Sequence, residues 1–183
     1  MKKLKDIKGN KLVIFDLDDT IIKTDAKIKI IDRKTGVIIR ELSPKDFNLF
    51  KTKSTHILDF DDFNSPEILR QGKFIFSIFD KLKEYYNSGI PVAILTARSS
   101  SKLVREFFLV NGIDIHPDLV IAINDPMYDY IGSVAEMKKQ AIKEFIDEGY
   151  TDLIFFDDNE DNLKLAKEAE GYKGSNIEIV KVT

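Results

Sequence analysis

The sequence contains no cysteine and only two histidines, His56 and His116. Without thiols, the chain cannot form disulfides or thiolate metal sites, and catalysis by a cysteine nucleophile is excluded. Two histidines also argue against a metal site rich in imidazole ligands. A metal centre in this protein is therefore expected to use oxygen ligands.

Long apolar runs and a strong excess of one charge are also missing. No run approaches the roughly 20 residues of a membrane-spanning helix. The basic start, MKKLKDIKGNK, leads into a short apolar run that ends in acids, unlike a signal peptide, and we interpret it as a solvated chain end. Lys and Arg total 28 against 31 Asp and Glu, which does not favour a strongly basic nucleic-acid surface. We expect a cytoplasmic protein that does not bind membranes, and the oligomeric state stays open.

Hydrophobic residues make up 43% of the 183-residue chain, enough for a core. Four short apolar runs predict buried strands: Leu12–Phe15, Pro91–Thr96, Asp118–Ile123 and Asp152–Phe156. A fifth run, Ile177–Val180, predicts an edge strand. Helical spacing, caps and terminal glycines predict four helices at 74–87, 103–110, 133–148 and 160–170. Strands alternating with helices favour an α/β fold, a Rossmann-like parallel sheet with helices on both faces.

Residues 25–71 interrupt this alternation. KIKII and GVIIREL flank the turn signal DRKTG and predict an antiparallel hairpin, while SPKDFNLFK predicts a short helix and ILDFDDFNSP a turn. A segment of fewer than about 50 residues is small for independent folding. We interpret it as a small cap inserted after the first strand, over a core formed by residues 1–24 and 72–183.

The predicted strands end in polar segments that carry the chemistry. The first ends in DLDDT (16–20), the second in TAR (96–98) and the fourth in DDNED (157–161). Ligands of open α/β sheets bind at the carboxyl ends of the strands, where these segments would meet. Converging carboxylates repel each other unless a cation lies between them, and oxygen ligands favour Mg²⁺. Carboxylates of Asp16 and Asp157 more than about 7 Å apart would contradict a shared Mg²⁺, which needs oxygens at about 2.1 Å.

In this order, the segments resemble the motifs of the haloacid dehalogenase-like (HAD) superfamily of phosphotransferases. LVIFDLDDT matches hhhhDxDxT, AILTAR matches a strand ending in Thr or Ser, and LIFFDDNED matches the last motif, a strand followed by acids. The remaining motif is a lysine on the helix before that last strand. The resemblance covers roughly residues 10–24 and 73–172.

The resemblance implies a Mg²⁺-dependent phosphomonoester hydrolase in which Asp16 is the nucleophile and forms an aspartyl-phosphate. Asp18 would act as general acid and then as general base. Lys138 or Lys139 would neutralise charge at Asp16; spacing to the apolar face of the helix favours Lys138. Thr96 would contact a phosphoryl oxygen.

The resemblance also implies a metal site and a substrate site. The metal would be held by Asp16, Asp157 and the backbone carbonyl of Asp18, with Asp158 and Asp161 in support. Thr20, Ala97 and Arg98 would bind substrate or shape its site. The carboxylate at Asp18 argues against dehalogenation.

The substrate is left open between a small phosphate ester, a nucleotide and a nucleic-acid phosphate end. LTAR and the short core are similar to the phosphatase half of polynucleotide kinase–phosphatases, and the insertion is similar to small phage-encoded members of the superfamily. Simpler interpretations remain: acidic turns after strands, a capping Thr96, a surface ion pair at Arg98 and a solvated Lys138. The alternative function is a catalytically idle structural or interaction protein that works through its insertion.

Overall fold

The computed structural model of the protein describes residues 9–183, so most of the basic N-terminal stretch lies outside the described residues. The strands are β1 (Lys11–Phe15), β2 (Ile22–Lys23), β3 (Ile28–Asp32), β4 (Ile38–Leu42), β5 (His56–Asp59), β6 (Lys73–Phe74), β7 (Val92–Thr96), β8 (Val120–Ala122), β9 (Asp152–Asp157) and β10 (Asn176–Lys181). The helices are α1 (Pro44–Leu49), α2 (Pro66–Gln71), α3 (Phe76–Asn87), α4 (Ser101–Val110), α5 (Val134–Asp147) and α6 (Glu160–Lys167).

The chain divides into two compact units. The larger contains the chain up to Lys23 together with Lys73–Thr183, and the smaller is Thr24–Gly72. The bounds of the smaller unit differ by one residue at each end from the insertion predicted at 25–71. The strands of the larger unit that flank the smaller one in the chain, β2 and β6, pair antiparallel with Lys23 opposite Lys73.

A five-stranded parallel sheet flanked by helices forms the larger unit, with strand order β10-β9-β1-β7-β8. This confirms the predicted parallel α/β sheet and is consistent with the predicted Rossmann-like arrangement. The strand predicted at Asp118–Ile123 is shorter than expected, because Pro117–Leu119 forms a 3₁₀ turn that the His116 side chain caps.

The central position of β1 explains its continuous apolar sequence. Leu12 to Phe15 are completely buried, as is typical of a strand with neighbours on both sides and helices over the sheet. The register places Phe15 opposite Ile94 on β7 and Phe156 on β9, and the rings of Phe15 and Phe156 stack at 4.7 Å. Because all three strands run in parallel, their carboxyl ends meet at one edge of the sheet.

Two helices present polar residues at that edge. A capping box between Ser133 and Glu136 starts α5, whose buried stripe of Ala141, Ile142 and Phe145 also includes Lys138. Helix α6 begins directly after β9, with the Asn159 side chain as its cap, and ends at Lys167 instead of the predicted 170.

The smaller unit is a three-stranded antiparallel sheet with the order β4-β3-β5. The predicted hairpin is formed by β3 and β4, and its turn is closed by backbone N–H donors to the Asp32 carboxylate. The turn predicted across ILDFDDFNSP is wrong for its first part: His56–Asp59 pair with β3 as a third strand. This pairing lets Leu58 pack with Ile28 and Ile30 in the core of the unit.

Candidate active site

The chain folds back sharply after β1, which keeps the first acidic segment at the sheet edge. The N–H groups of Ile21 and Ile22 donate to the carbonyl oxygen of Leu17, at 2.9 and 3.1 Å. Asp19 has φ of 61°, in the left-handed region that aspartate tolerates better than most residues. The turn returns Thr20 to Asp16, and Thr20 Oγ1 donates to Asp16 Oδ2 at 3.0 Å.

Asp16 is buried, with 6% of its surface exposed, and both of its oxygens accept hydrogen bonds. Lys138 Nζ donates to Asp16 Oδ1 at 2.7 Å and to Asp157 Oδ2 at 2.8 Å. Lys139 forms an ion pair with Glu168 instead. The structure therefore places Lys138, the favoured candidate, between the first and last acidic segments.

Asp157 is completely buried and is surrounded by donors. Besides Lys138, it accepts the backbone N–H of Asn159 at 2.8 Å. Asn162 Nδ2 donates to both Asp157 oxygens, at 3.1 and 3.0 Å. Asn162 is a site residue that sequence reasoning missed. The sequence signal for it was its place in the first turn of a predicted helix that directly follows the acidic end of β9.

Asp16, Asp157 and Asp158 form the three-carboxylate cluster. Each offers an oxygen such that all three oxygens lie within 4.8 Å of one another, so these residues could hold a metal ion. The oxygens of Asp16 and Asp157 are therefore closer together than the separation of about 7 Å that would contradict a shared Mg²⁺. Asp158, which the sequence predicts as a supporting residue, is the third member of this cluster. The backbone N–H of Asp158 donates to Thr20 Oγ1 at 3.1 Å.

Burial and mutual repulsion dominate the electrostatics of this cluster. Burial, together with the nearby Asp157, raises the pKa of Asp16 well above its ordinary value, although Lys138 acts in the opposite direction. Burial and the charges of Asp157 and Asp19 raise the pKa of Asp158 to about 6. Burial alone would lower the pKa of Lys138, but the carboxylates of Asp157 and Asp16 outweigh it and raise that pKa. One ammonium faces three carboxylates, so the donor set and its charge fit a divalent cation.

The Asp18 carboxylate is not a member of this cluster and pairs with Arg98. Arg98 Nε donates to Asp18 Oδ2 at 2.9 Å and Arg98 Nη2 to Asp18 Oδ1 at 2.7 Å. Asp18 was predicted as the acid/base and Arg98 as a substrate-binding residue; the structure shows them hydrogen-bonded to each other.

The other predicted residues lie at the same edge of the sheet or beside it. Thr96 is buried at the end of β7, and its Oγ1 accepts the N–H of Arg98 at 3.3 Å. Ala97 is exposed, and its carbonyl oxygen accepts Asn124 Nδ2 at 2.6 Å. Asp161 is exposed in the first turn of α6, and its carboxylate is not part of the three-carboxylate cluster.

Comparison of the sequence with models of known protein families and with curated proteins found no match to either. Among residues 9–183, no helix combines the length and the apolar character needed to cross a membrane.

Proposed function

We propose that this protein is a Mg²⁺-dependent phosphomonoester hydrolase that acts through an aspartyl-phosphate on Asp16. The observation that carries the proposal is the placement of Asp16: it lies at the end of the central strand, bonded to Lys138 and Thr20, with two further carboxylates beside it. A ligand-binding edge of a parallel sheet, a positioned carboxylate and a site for a divalent cation are the parts that phosphoryl transfer needs.

Asp16, Asp157 and Asp158 would hold the metal, with the carbonyl oxygen of Asp18 as a further candidate ligand. When bound, Mg²⁺ supplies charge neutralisation for the carboxylates and the phosphate. Lys138 contributes a second, permanent positive charge. Because its ammonium bonds directly to Asp16, it favours the ionised carboxylate that a nucleophile requires.

In the first step, a carboxylate oxygen of Asp16 attacks phosphorus and the bond between phosphorus and the ester oxygen breaks. Asp18 gives its proton to the departing oxygen. In the second step, a water molecule attacks the phosphoryl group while Asp18 takes its proton. The bond between phosphorus and Asp16 then breaks, which releases inorganic phosphate and restores the Asp16 carboxylate and the protonated Asp18 carboxyl group. Thr96, buried at the neighbouring strand end, is the proposed donor to a phosphoryl oxygen.

The test is hydrolysis of p-nitrophenyl phosphate by the purified protein, with Mg²⁺ and with EDTA. We expect Mg²⁺-dependent turnover that Asp16→Asn abolishes. The control is Asp80→Asn, which changes an exposed acid of α3 that pairs only at the surface with Lys83. A phosphorylated Asp16 peptide in acid-quenched protein would establish the intermediate. Turnover that is unaffected by Asp16→Asn would contradict the proposal.

The alternative, an idle protein that works through its insertion, has one observation in its favour. Strand β4 lies at the edge of the smaller sheet and carries exposed apolar residues, Ile38 and Ile39, with Val37 just before it. Exposed apolar side chains on an edge strand are typical of surfaces that bind other chains. If the purified protein is folded and soluble but hydrolyses no phosphate ester, this alternative is favoured.

A further inference from the structure

The guanidinium of Arg98 holds the Asp18 carboxylate in a two-pronged arrangement. The two hydrogen bonds are 2.9 and 2.7 Å long, and each uses a different carboxylate oxygen. The Arg98 side chain is 1% exposed, while that of Asp18 is 20% exposed. Because a forked pair fixes the plane of the carboxylate as well as its distance, it determines orientation and not charge alone.

Arg98 is itself held by its backbone. Its N–H donates to Thr96 Oγ1, and its carbonyl oxygen accepts the N–H of Asn124 at 3.2 Å. The Asn124 side chain donates to the preceding carbonyl oxygen, that of Ala97. The segment after β8 therefore braces the segment after β7, and the guanidinium extends from this braced segment.

Asp18 lies in the turn after β1, two residues from the nucleophile. In the proposed reaction, its carboxyl group must face the leaving oxygen in one step and a water molecule in the next. A misplacement of about 1 Å at such a group can cost about 100-fold in rate. Each carboxylate oxygen has two acceptor sites, so the pair with Arg98 leaves capacity for proton transfer.

We propose that Arg98 is a positioning residue for Asp18, and that it is not a ligand of the substrate phosphate. This inference rests on the proposed phosphatase function. It replaces the substrate-binding role that the resemblance implies for Arg98, because the side chain is enclosed and its guanidinium is directed at the acid/base.

The experiment is a double-mutant cycle on p-nitrophenyl phosphate hydrolysis with Mg²⁺. Arg98→Met and Asp18→Asn are made singly and together, and single-turnover rates are measured where steady-state rates are too low. For Arg98→Met we expect kcat to fall about 100-fold, with KM changed by less than about twofold. In the Asp18→Asn background the same change should cost less than about twofold, because the group that Arg98 positions is already absent.

Two further variants separate positioning from structural damage. Arg98→Lys keeps the charge but cannot make the fork, so kcat should stay at least about tenfold below that of the wild type. If Arg98→Met does not fold, Arg98→Lys replaces it in the double-mutant cycle with Asp18→Asn. The matched control is Arg105→Met on α4, which removes a comparable arginine that bonds Asp114 and the carbonyl oxygen of Ile115. Its kcat and KM should match those of the wild type.

Chemical rescue of kcat by a small guanidinium compound is a measurement that distinguishes positioning from a purely structural role. Methylguanidinium should restore part of the kcat of Arg98→Ala, and methylammonium should not, since only the former can form the fork. A raised KM with unchanged kcat, or full loss on Arg98 substitution in the Asp18→Asn background, would overturn the inference and favour a substrate ligand. If the wild-type protein shows no Mg²⁺-dependent turnover, it is the proposed function that fails, and the inference falls with it.

Discussion

At the scale of single residues, the site is organised around one buried ammonium. Lys138 is 1% exposed and bonds two buried carboxylates, which offset the cost of removing its ammonium from water. Such an arrangement is sensitive to the loss of any member, because the remaining charges stay buried. Asn162 has the corresponding role for Asp157, as an uncharged donor.

We predict that Lys138→Met lowers the free energy of unfolding of the metal-free protein by about 3–5 kcal/mol. It should also reduce kcat by at least about 100-fold, since the charge beside the nucleophile is lost. Urea denaturation and p-nitrophenyl phosphate hydrolysis measure the two effects. Lys139→Met removes a neighbouring surface pair with Glu168 and should cost no more than about 1 kcal/mol. Equal stability of the two variants would contradict the buried network.

We also predict that Asn162→Ala weakens Mg²⁺ binding about 10- to 100-fold, because Asp157 loses the donor that orients both of its oxygens. The thermal shift produced by a Mg²⁺ titration measures this affinity independently of turnover. Asn176→Ala changes an exposed asparagine at the start of β10 and serves as the control. A midpoint equal to that of the wild type would mean that Asn162 is structural only.

At the scale of elements, caps and turns hold the segments that carry the chemistry. The capping box of α5 satisfies the start of the helix that carries Lys138, and Asn159 does the same for α6 beside the three-carboxylate cluster. In the smaller unit, Asp62 ties the 3₁₀ turn after β5 to the start of β3. Its carboxylate accepts the Lys27 N–H and the Lys29 ammonium, both at 3.0 Å.

The free energy of unfolding should depend on pH through the contacts that the Asp62 carboxylate makes with Lys27 and Lys29. Burial raises the pKa of Asp62, but the Lys27 N–H and Lys29 outweigh it, and the net pKa lies below its ordinary value. A depressed folded-state pKa means that the stabilisation is complete above the unfolded-state value of about 3.9 and is lost as pH falls through the folded-state pKa.

We therefore expect Asp62→Asn to destabilise the protein by about 1–2 kcal/mol at pH 7. The difference from the wild type should shrink as pH falls from about 5 to about 3. Urea denaturation at several pH values measures it. Asp61→Asn, which changes the neighbouring exposed acid, is the control. A difference between wild type and Asp62→Asn that stays constant over this range would contradict the assignment.

At the scale of the whole molecule, the site residues all belong to the larger unit. The smaller unit has its own core of Ile28, Ile30 and Leu42 with surrounding aromatic residues. It leaves and rejoins the larger unit between two paired residues, Lys23 and Lys73. Facing residues of an antiparallel pair lie about 4.5–5.5 Å apart, close enough for a two-residue turn to join them.

This geometry predicts that residues 24–72 can be replaced by Asn-Gly. The shortened protein should unfold cooperatively and retain Mg²⁺-dependent p-nitrophenyl phosphate hydrolysis within about tenfold of the wild type, because the proposed chemistry needs no residue of the smaller unit. Its preference among larger phosphate esters should change if the smaller unit acts as a cap. Calorimetry and the hydrolysis assay check both points. A shortened chain that folds but has lost all turnover would show that the smaller unit supplies part of the site.

Local features determined much of what could be predicted. Apolar runs, caps and terminal glycines predicted the parallel sheet and its main helices, because backbone conformation and burial leave a periodic signal in neighbouring residues. The same signal placed Asp16, Thr96 and Asp157 at strand ends. It failed where a partner distant in sequence decides the structure: His56–Asp59 is a strand only because β3 lies beside it.

The sequence by itself thus determined which segments build the sheet and which acids lie at its edge. Only the tertiary structure decided which side chains meet there: Lys138 instead of Lys139, Asp158 in the three-carboxylate cluster, and Arg98 on Asp18. These pairs join residues far apart in the chain, by 122 positions for Lys138 and Asp16 and by 80 for Arg98 and Asp18. Such contacts depend on strand order, register and helix rotation together, and short-range patterns record none of these.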